Sequence, residues 1–373
     1  MFDALQFLTT TTGFWHLTPG MMFMWVVGLV LIYLAISKQY EPLLLLPIGF
    51  GIILANLPLA GLMAPEEGLL WKFYEYGIHW EIIPPLIFLG LGALTDFGPL
   101  LSMPSLIFLG AAAQGGVYLT FFIANTFLGF DFMESATIGI IGGADGPTTI
   151  FLASKLAPHM LGICAVAAYS YMALVPIIQP PVMKALTTDK ERKIRMKKGR
   201  KVNKLEKLLF PIVATFVIIL IVPASAPLIS MFMVGNLFRE SKVVERLTKA
   251  SQEELLNIAT IFLGLPVGAT MNAENFLQWK VIFIFVLGLC AFILSTAVGV
   301  CIAKVMNLFR KNKINPLLGA AGVSAVPMAA RVVHKVGQQA DKKNYLLMYA
   351  MGPNVAGVIG TVIAAGIFLT LLQ

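Results

Sequence analysis

The chain has 373 residues, of which 58% are hydrophobic and 12% charged, with a mean hydropathy of +0.84. Ordinary soluble domains run roughly 45–50% apolar and about 25% charged, so this composition excludes a water-soluble fold. The formal net charge of +8 lies in connections between apolar blocks and not on a face interleaved with aromatics, which points to a lipid bilayer and away from nucleic acid.

Apolar blocks long enough to cross hydrocarbon fill 21–36, 104–128, 281–302 and 346–372. The first is followed by Lys38 and Glu41 with no small-residue cleavage motif, and is read as a retained helix. Further spans are predicted near 42–59, in a broken stretch ending near 95, and at 104–129, 136–153 and 159–180. The run 184–207 then carries Lys190, Arg192, Lys193, Arg195, Lys197, Lys198, Arg200, Lys201 and Lys204, a cytoplasmic loop by the positive-inside rule. Docking of a soluble partner is a second reading of that loop. Cys164, Cys290 and Cys301 sit singly in apolar blocks, and the four histidines are scattered, which gives no metal-ligand spacing.

Beyond the basic loop, phrases from the first half recur in order. Leu46-Pro47-Ile48 leading to Pro58 resembles Phe210-Pro211-Ile212 leading to Pro223, and the run 87–91 recurs as 261–265. The predicted fold is an all-α integral membrane protein of about 11 transmembrane segments. An N-terminal segment and first helix occupy 1–40, one repeat 41–183, the basic loop 184–207 and a second repeat 208–373. Five spans per repeat is an odd number, so the repeats are predicted to be inverted, with discontinuous helices crossing near the midplane. Positive-inside scoring stalls at one place. Lys304, Arg310, Lys311 and Lys313 before the penultimate segment, and Lys335, Lys342 and Lys343 after it, cannot all be cytoplasmic if that segment spans.

Two interrupted segments carry the chemistry. Around 138–151, Pro147 lacks an N–H and leaves the carbonyl of Gly143 without its helical donor, while Gly142, Gly143 and Gly146 permit non-helical dihedrals. Asp145 sits in this break, where an ionised carboxylate at the bilayer centre costs roughly 2.5–3.5 kcal/mol. Freed carbonyls with the Thr148 and Thr149 hydroxyls make an all-oxygen environment suited to Na+ or a proton. The plainer alternative is an Asp-Gly turn in an external loop. Around 315–331, Pro327 frees the carbonyl of Val323 beside Ser324, so crossing the two breaks assembles an oxygen site with one negative charge. Arg331 lies two turns beyond Ser324 if helix resumes, placed either to bind an anionic substrate or to snorkel to the interface. Asn354 and Tyr171 are further intramembrane polar positions, open to site roles or to packing.

These phrases resemble a known family. GGADGPT at 142–148, GNLFRES at 235–241, VVERL at 243–247, NPLLGAAGVSAVPMAARV at 315–332 and MGPNVAG at 351–357 are similar to the beta subunit of the biotin-dependent, sodium-pumping decarboxylases acting on oxaloacetate, methylmalonyl-CoA or glutaconyl-CoA. The resemblance implies an enzyme coupled to transport: carboxybiotin delivered by a biotin carrier is decarboxylated, a proton is consumed and Na+ is exported. It implies a cation-site acid at Asp145, polar helix positions at Asn315, Gly319, Ser324 and Arg331, and further polar residues at Tyr171 and Asn354. Na+ ligation falls to Asp145, Asn315, Ser324 and Asn354; catalytic roles fall to Asp145, Tyr171, Ser324 and Arg331, with Arg331 contacting carboxybiotin. Implied partners are a carboxyltransferase alpha subunit, a biotin carrier protein and a small membrane-anchored gamma or delta subunit, in an oligomeric complex of a prokaryotic cytoplasmic membrane. Met196-Lys197 lies in the basic loop and has no biotinyl domain around it, so biotin is expected on another chain. The short N-terminal lead resembles the acyl-CoA versions. Without the family phrases, the same repeats and intramembrane acid read equally as a free-standing Na+/H+ antiporter or sodium-coupled transporter.

Overall fold

A computed structural model describes residues 10–373, apart from the side chain of Asn275, so the first nine positions of the N-terminal segment lie outside the described residues. Every regular element among the described residues is helical. The longer ones are α1 Pro19–Ser37, α2 Pro42–Ala55, α3 Leu69–His79, α4 Ile83–Leu94, α5 Ile107–Leu128, α6 Phe132–Ile140, α7 Gly146–Leu156, α8 Leu161–Leu186, α9 Lys204–Ile221, α10 Ala226–Ser241, α11 Leu256–Ala269, α12 Trp279–Leu308, α13 Met328–Ala340 and α14 Leu347–Leu372. Five helices are by themselves long and apolar enough to cross a membrane, and α3 with α4 forms a further candidate bent by 62°. The chain is thus a multi-pass membrane protein.

Small residues let the helices approach closely, the packing expected where lipid removes the hydrophobic drive for helix association. A Cβ on Gly51 of α2 would lie 2.2 Å from the carbonyl oxygen of Leu265 in α11, and one on Gly268 of α11 would lie 2.1 Å from that of Ile48. The same reciprocal seating joins α4 to α10, through Gly92 against Phe232 and Gly235 against Leu89. The long helices α5 and α12 cross at Gly116, against Ser295.

The two interrupted segments fold back on themselves. Asn315 and Asn344 flank the second one, and both donate through Nδ2 to the same two carbonyls of the basic loop. For Arg192 and Ile194 the distances are 2.9 and 2.8 Å from Asn315, and 2.9 and 3.2 Å from Asn344. The chain between them therefore enters and leaves at one face, as a helical hairpin. That geometry removes the charge conflict met in the sequence: Lys304 donates to Leu186, Arg310 to Ser105 beside the loop, and Arg195 pairs with Asp341 at 2.7 Å, all at that face. There the Lys343 amide and the Arg195 guanidinium hold the Asp341 carboxyl below the usual carboxylate range.

The first interrupted segment closes at the opposite face. Glu134, in the first turn of α6, meets His159, just past the end of α7, at 3.1 Å. His159 precedes α8, whose far end runs into the basic loop. The two hairpins thus enter from opposite faces, and their tips meet inside the molecule.

Candidate functional site

The helix breaks where Pro147 and Pro327 predict, and the freed carbonyls are taken up across the tips. Gly143 O accepts from the backbone N–H of Ser324 at 2.8 Å. Val323 O accepts from Asn354 Nδ2 at 2.7 Å, and the same amide reaches Ala321 O at 3.1 Å and Ala325 O at 3.4 Å. Neither carbonyl is left bare in the interior, which is the condition for tolerating irregular backbone at membrane depth.

The glycines of the first break have a different role from the one expected. The left-handed residue is Ala144, at φ +54°; Gly142, Gly143 and Gly146 keep ordinary backbone angles and are small for the sake of contact. A Cβ at Gly142 would meet Ala291 at 2.8 Å, one at Gly143 would meet Thr361 at 2.6 Å, and one at Gly146 would enter the ring of Tyr169 at 2.0 Å.

Asp145 caps α7 and is 4% exposed. One carboxylate oxygen accepts from Thr148 N at 3.2 Å and the other from the Ser324 hydroxyl at 2.9 Å. Both donors are neutral, so the hydrogen bonds and the helix N-terminus stabilise the charge without cancelling it. Of the buried oxygens at the tips, Tyr169 Oη and Asn354 Oδ1 have no hydrogen-bond partner, while the Thr148 hydroxyl lies within reach of the carboxylate.

A cavity of about 460 Å³ opens beside this carboxylate. Asp145, Ser324, Tyr169 and Pro327 line its inner end, and Thr95, Asp96 and Glu41 extend it toward the basic-loop face, where Asp96 pairs with Lys207 at 2.8 Å. Among the described residues its lining holds three acids, Asp96 being the one paired with Lys207, and no cationic side chain. The GNLFRES phrase builds the rim. Asn236 donates to Gly92 O and Thr95 O, Arg239 to Leu94 O, and Gln252 to Ala93 O, so the last carbonyls of α4 are satisfied and Thr95–Asp96 is held at the mouth.

Of the residues singled out from sequence, Asp145 and Ser324 come together, with Asn354 holding the second tip from behind. The others stand elsewhere. Asn315 is buried at the base of the second hairpin, bound to the basic loop and, through Oδ1, to Leu317 N. Gly319 lies along the hairpin's incoming arm against Gly299. Tyr171 donates its hydroxyl to Phe285 O and packs on Gly288, outside the cavity lining. Arg331 is exposed on α13, because helix resumes only at Met328 and Ser324–Pro327 is irregular; the two-turn same-face relation does not form.

Tyr169 was not singled out. It lies two positions before Tyr171 on the same helix, and two positions on a helix face different ways, so polarity alone could not choose between them. Also missed were Gln114, which meets Thr361 at 3.3 Å, and Gln179, which meets Thr296 at 3.3 Å and donates to Ala320 O. Amides and hydroxyls inside apolar blocks were their only signal.

The family described as "Na+-transporting oxaloacetate decarboxylase beta subunit" matches residues 20–372. The chain belongs to this beta-subunit family. It is 55% identical to the methylmalonyl-CoA decarboxylase subunit beta of Propionigenium modestum, over 100% of both chains. It is 50% identical to the oxaloacetate decarboxylase beta chain of Klebsiella pneumoniae, over 98% of each chain. It is 55% identical to the glutaconyl-CoA decarboxylase subunit beta of Acidaminococcus fermentans, over 99% of this chain and 98% of that one. As a beta subunit of this family, the chain joins Na+ transport to decarboxylation within a complex of several subunits.

Proposed function

We propose that this chain takes Na+ from the cytoplasm at Asp145 and Ser324 and exchanges it for the proton consumed when carboxybiotin loses CO2. The observation that carries this reading is the pair of hairpin tips. One buried carboxylate has only neutral hydrogen-bond donors, the Thr148 amide and the Ser324 hydroxyl. The carboxylate and hydroxyl oxygens make a hard, singly negative set, which fits Na+ as the cargo. The acid-lined cavity reaching toward the basic loop supports entry from the cytoplasmic side.

Decarboxylation of carboxybiotin breaks the bond between nitrogen and the carboxylate carbon, and the nitrogen takes up one proton. The chain's residues need only deliver that proton and seat the carboxylate. Asp145 holds either Na+ or the proton, so outward release of Na+ and protonation of the acid are one event. Arg331, exposed one turn past Pro327, receives the carboxylate as the biotin carrier docks. Asn315 and Tyr171 serve as braces for the hairpins. Biotin resides on the carrier chain; a carboxyltransferase alpha subunit loads it, and a small membrane-anchored subunit completes an oligomeric assembly in the prokaryotic cytoplasmic membrane.

The proposed topology is two inverted units of five crossings and one hairpin each. Reciprocal packing supports it: α2 pairs with α11 as α10 pairs with α4, and α1 lies on α2 as α9 lies on α10. The same sequence interval separates Gln114 from Thr296 and Gln179 from Thr361, and the two Gln–Thr contacts are mirror copies with the residue types exchanged. This makes ten crossings in place of eleven, and it gives α1 the counterpart α9. The acyl substrate is proposed to be a CoA ester. The three CoA-ester relatives align over 369, 370 and 393 residues, whereas the oxaloacetate relative aligns over 426.

Vesicles holding the purified complex test the reading. Asp145→Asn is expected to abolish both Na+-dependent decarboxylation and radiolabelled Na+ uptake, and avidin to block uptake by the unaltered complex. Avidin-resistant uptake points to an antiporter instead.

A further inference from the structure

Among the buried polar groups near the tips, Tyr169 has no role in the account so far. Its side chain is 0% exposed, it lines the cavity beside Asp145, and its hydroxyl has no hydrogen-bond partner. The ring is seated directly on the α-carbon of Gly146, where an added Cβ would lie 2.0 Å from Cε1 and 2.5 Å from the hydroxyl oxygen. Gly146 follows Asp145, so the phenol oxygen is fixed over the turn of backbone that presents the carboxylate. A glycine at this position is what lets the phenol come so close.

An unmatched buried hydroxyl weakens the fold unless a bound species completes it. A phenol brings two acceptor lone pairs as well as its proton. At the Asp145 tip the two carboxylate oxygens and the Ser324 and Thr148 hydroxyls supply at most four oxygens, fewer than a hard cation stripped of water requires. The Tyr169 oxygen stands ready on the same wall. Tyr171 has no comparable freedom, since its hydroxyl is bound to Phe285 O.

Resting on the assignment of the ion site to Asp145 above, we propose that the hydroxyl oxygen of Tyr169 is a further ligand of the transported Na+, completing the site from the cavity side. Tyr169→Phe keeps the ring that packs on Gly146 and removes only the oxygen. In the purified whole complex, the variant is expected to bind radiolabelled Na+ roughly tenfold more weakly, and to need correspondingly more Na+ for half-maximal decarboxylation. Its thermal midpoint without Na+ is unchanged or higher, because an unpaired buried group has been deleted, and the upward shift on adding NaCl shrinks. Unchanged Na+ affinity overturns the proposal, as does a lowered Na+-free midpoint with unchanged affinity, which marks a purely structural hydroxyl. Asp145→Asn measured in parallel separates the two levels. If it too leaves Na+ binding intact, the ion site itself is misassigned. If it abolishes binding while Tyr169→Phe binds normally, only the role of Tyr169 falls.

Discussion

Ser324 donates its hydroxyl to the Asp145 carboxylate at 2.9 Å, across 179 positions of sequence and between two hairpins that enter the molecule from opposite faces. Because the backbone N–H of Ser324 also binds Gly143 O at 2.8 Å, the contact ties tip to tip as well as tuning a carboxylate. Any motion that carries one hairpin past the other must break both bonds.

Ser324→Ala removes the side-chain half of that link and keeps the backbone half. A hydrogen bond to a charged group contributes about 1.5–3 kcal/mol. Na+ affinity, read from the Na+ dependence of decarboxylation, is therefore expected to fall by roughly 10- to 100-fold. The Na+-free thermal midpoint should fall as well, because the same bond holds the tips together, and Ser324→Thr should recover part of the affinity. An alanine variant with unaltered Na+ dependence removes Ser324 from the ion site.

Gly146→Ala forces a methyl into the ring of Tyr169. Overpacking of this kind costs about 1–3 kcal/mol, and more where backbone cannot retreat. A lower thermal midpoint of the solubilised protein is expected, and Tyr169→Phe in the same chain should not rescue it, because the clash is with the ring. Rescue by Tyr169→Ala at the level of folding, without recovery of Na+ binding, is the further expectation.

Asn315 and Asn344 share the carbonyls of Arg192 and Ile194, so neither carbonyl is orphaned until both amides are gone. Asn315→Ala and Asn344→Ala should each be mild, and the double variant worse than their sum by about 0.5–3 kcal/mol in a thermal-unfolding cycle. Strict additivity contradicts a shared anchor. The hairpin itself has a separate test. With Cys164, Cys290 and Cys301 replaced, single cysteines at Lys311 and Lys342 should react with a membrane-impermeant maleimide from the same side. Labelling from opposite sides shows a crossing instead.

Asn354→Leu strips the donor from Ala321 O, Val323 O and Ala325 O together. Each buried carbonyl left unmatched costs about 1–3 kcal/mol, so the variant is expected to melt earlier and to lose Na+ binding with the disordered tip. Preserved binding excludes Asn354 as the support of the second break.

The positions of the two breaks were legible because a proline's missing N–H is a local fact: Pro147 names Gly143 and Pro327 names Val323 as freed carbonyls without any knowledge of the fold. Partners of those carbonyls were not legible, since Ser324 and Asn354 reach them only through the crossing of the hairpins. The recurrence of 87–91 at 261–265 agrees with the proposed inverted units, which set α4 against α11. The match of 46–48 with 210–212 sets α2 against α9, whereas the proposed units set it against α10; short apolar phrases recur on any membrane helix.

The sequence by itself determined the membrane class, the acid that must be compensated and the two places where helix cannot continue, all consequences of composition or of single-residue backbone chemistry. The crossing of the two breaks was expected, but only the tertiary structure decided that the second broken segment returns to its own face, that the Ser324 hydroxyl bonds the Asp145 carboxylate directly, and that Tyr169 and not Tyr171 lines the cavity beside it. Each of those depends on which side of a helix meets which neighbour. In a chain that is apolar all round, periodicity does not encode that choice, and close contacts at small residues make it.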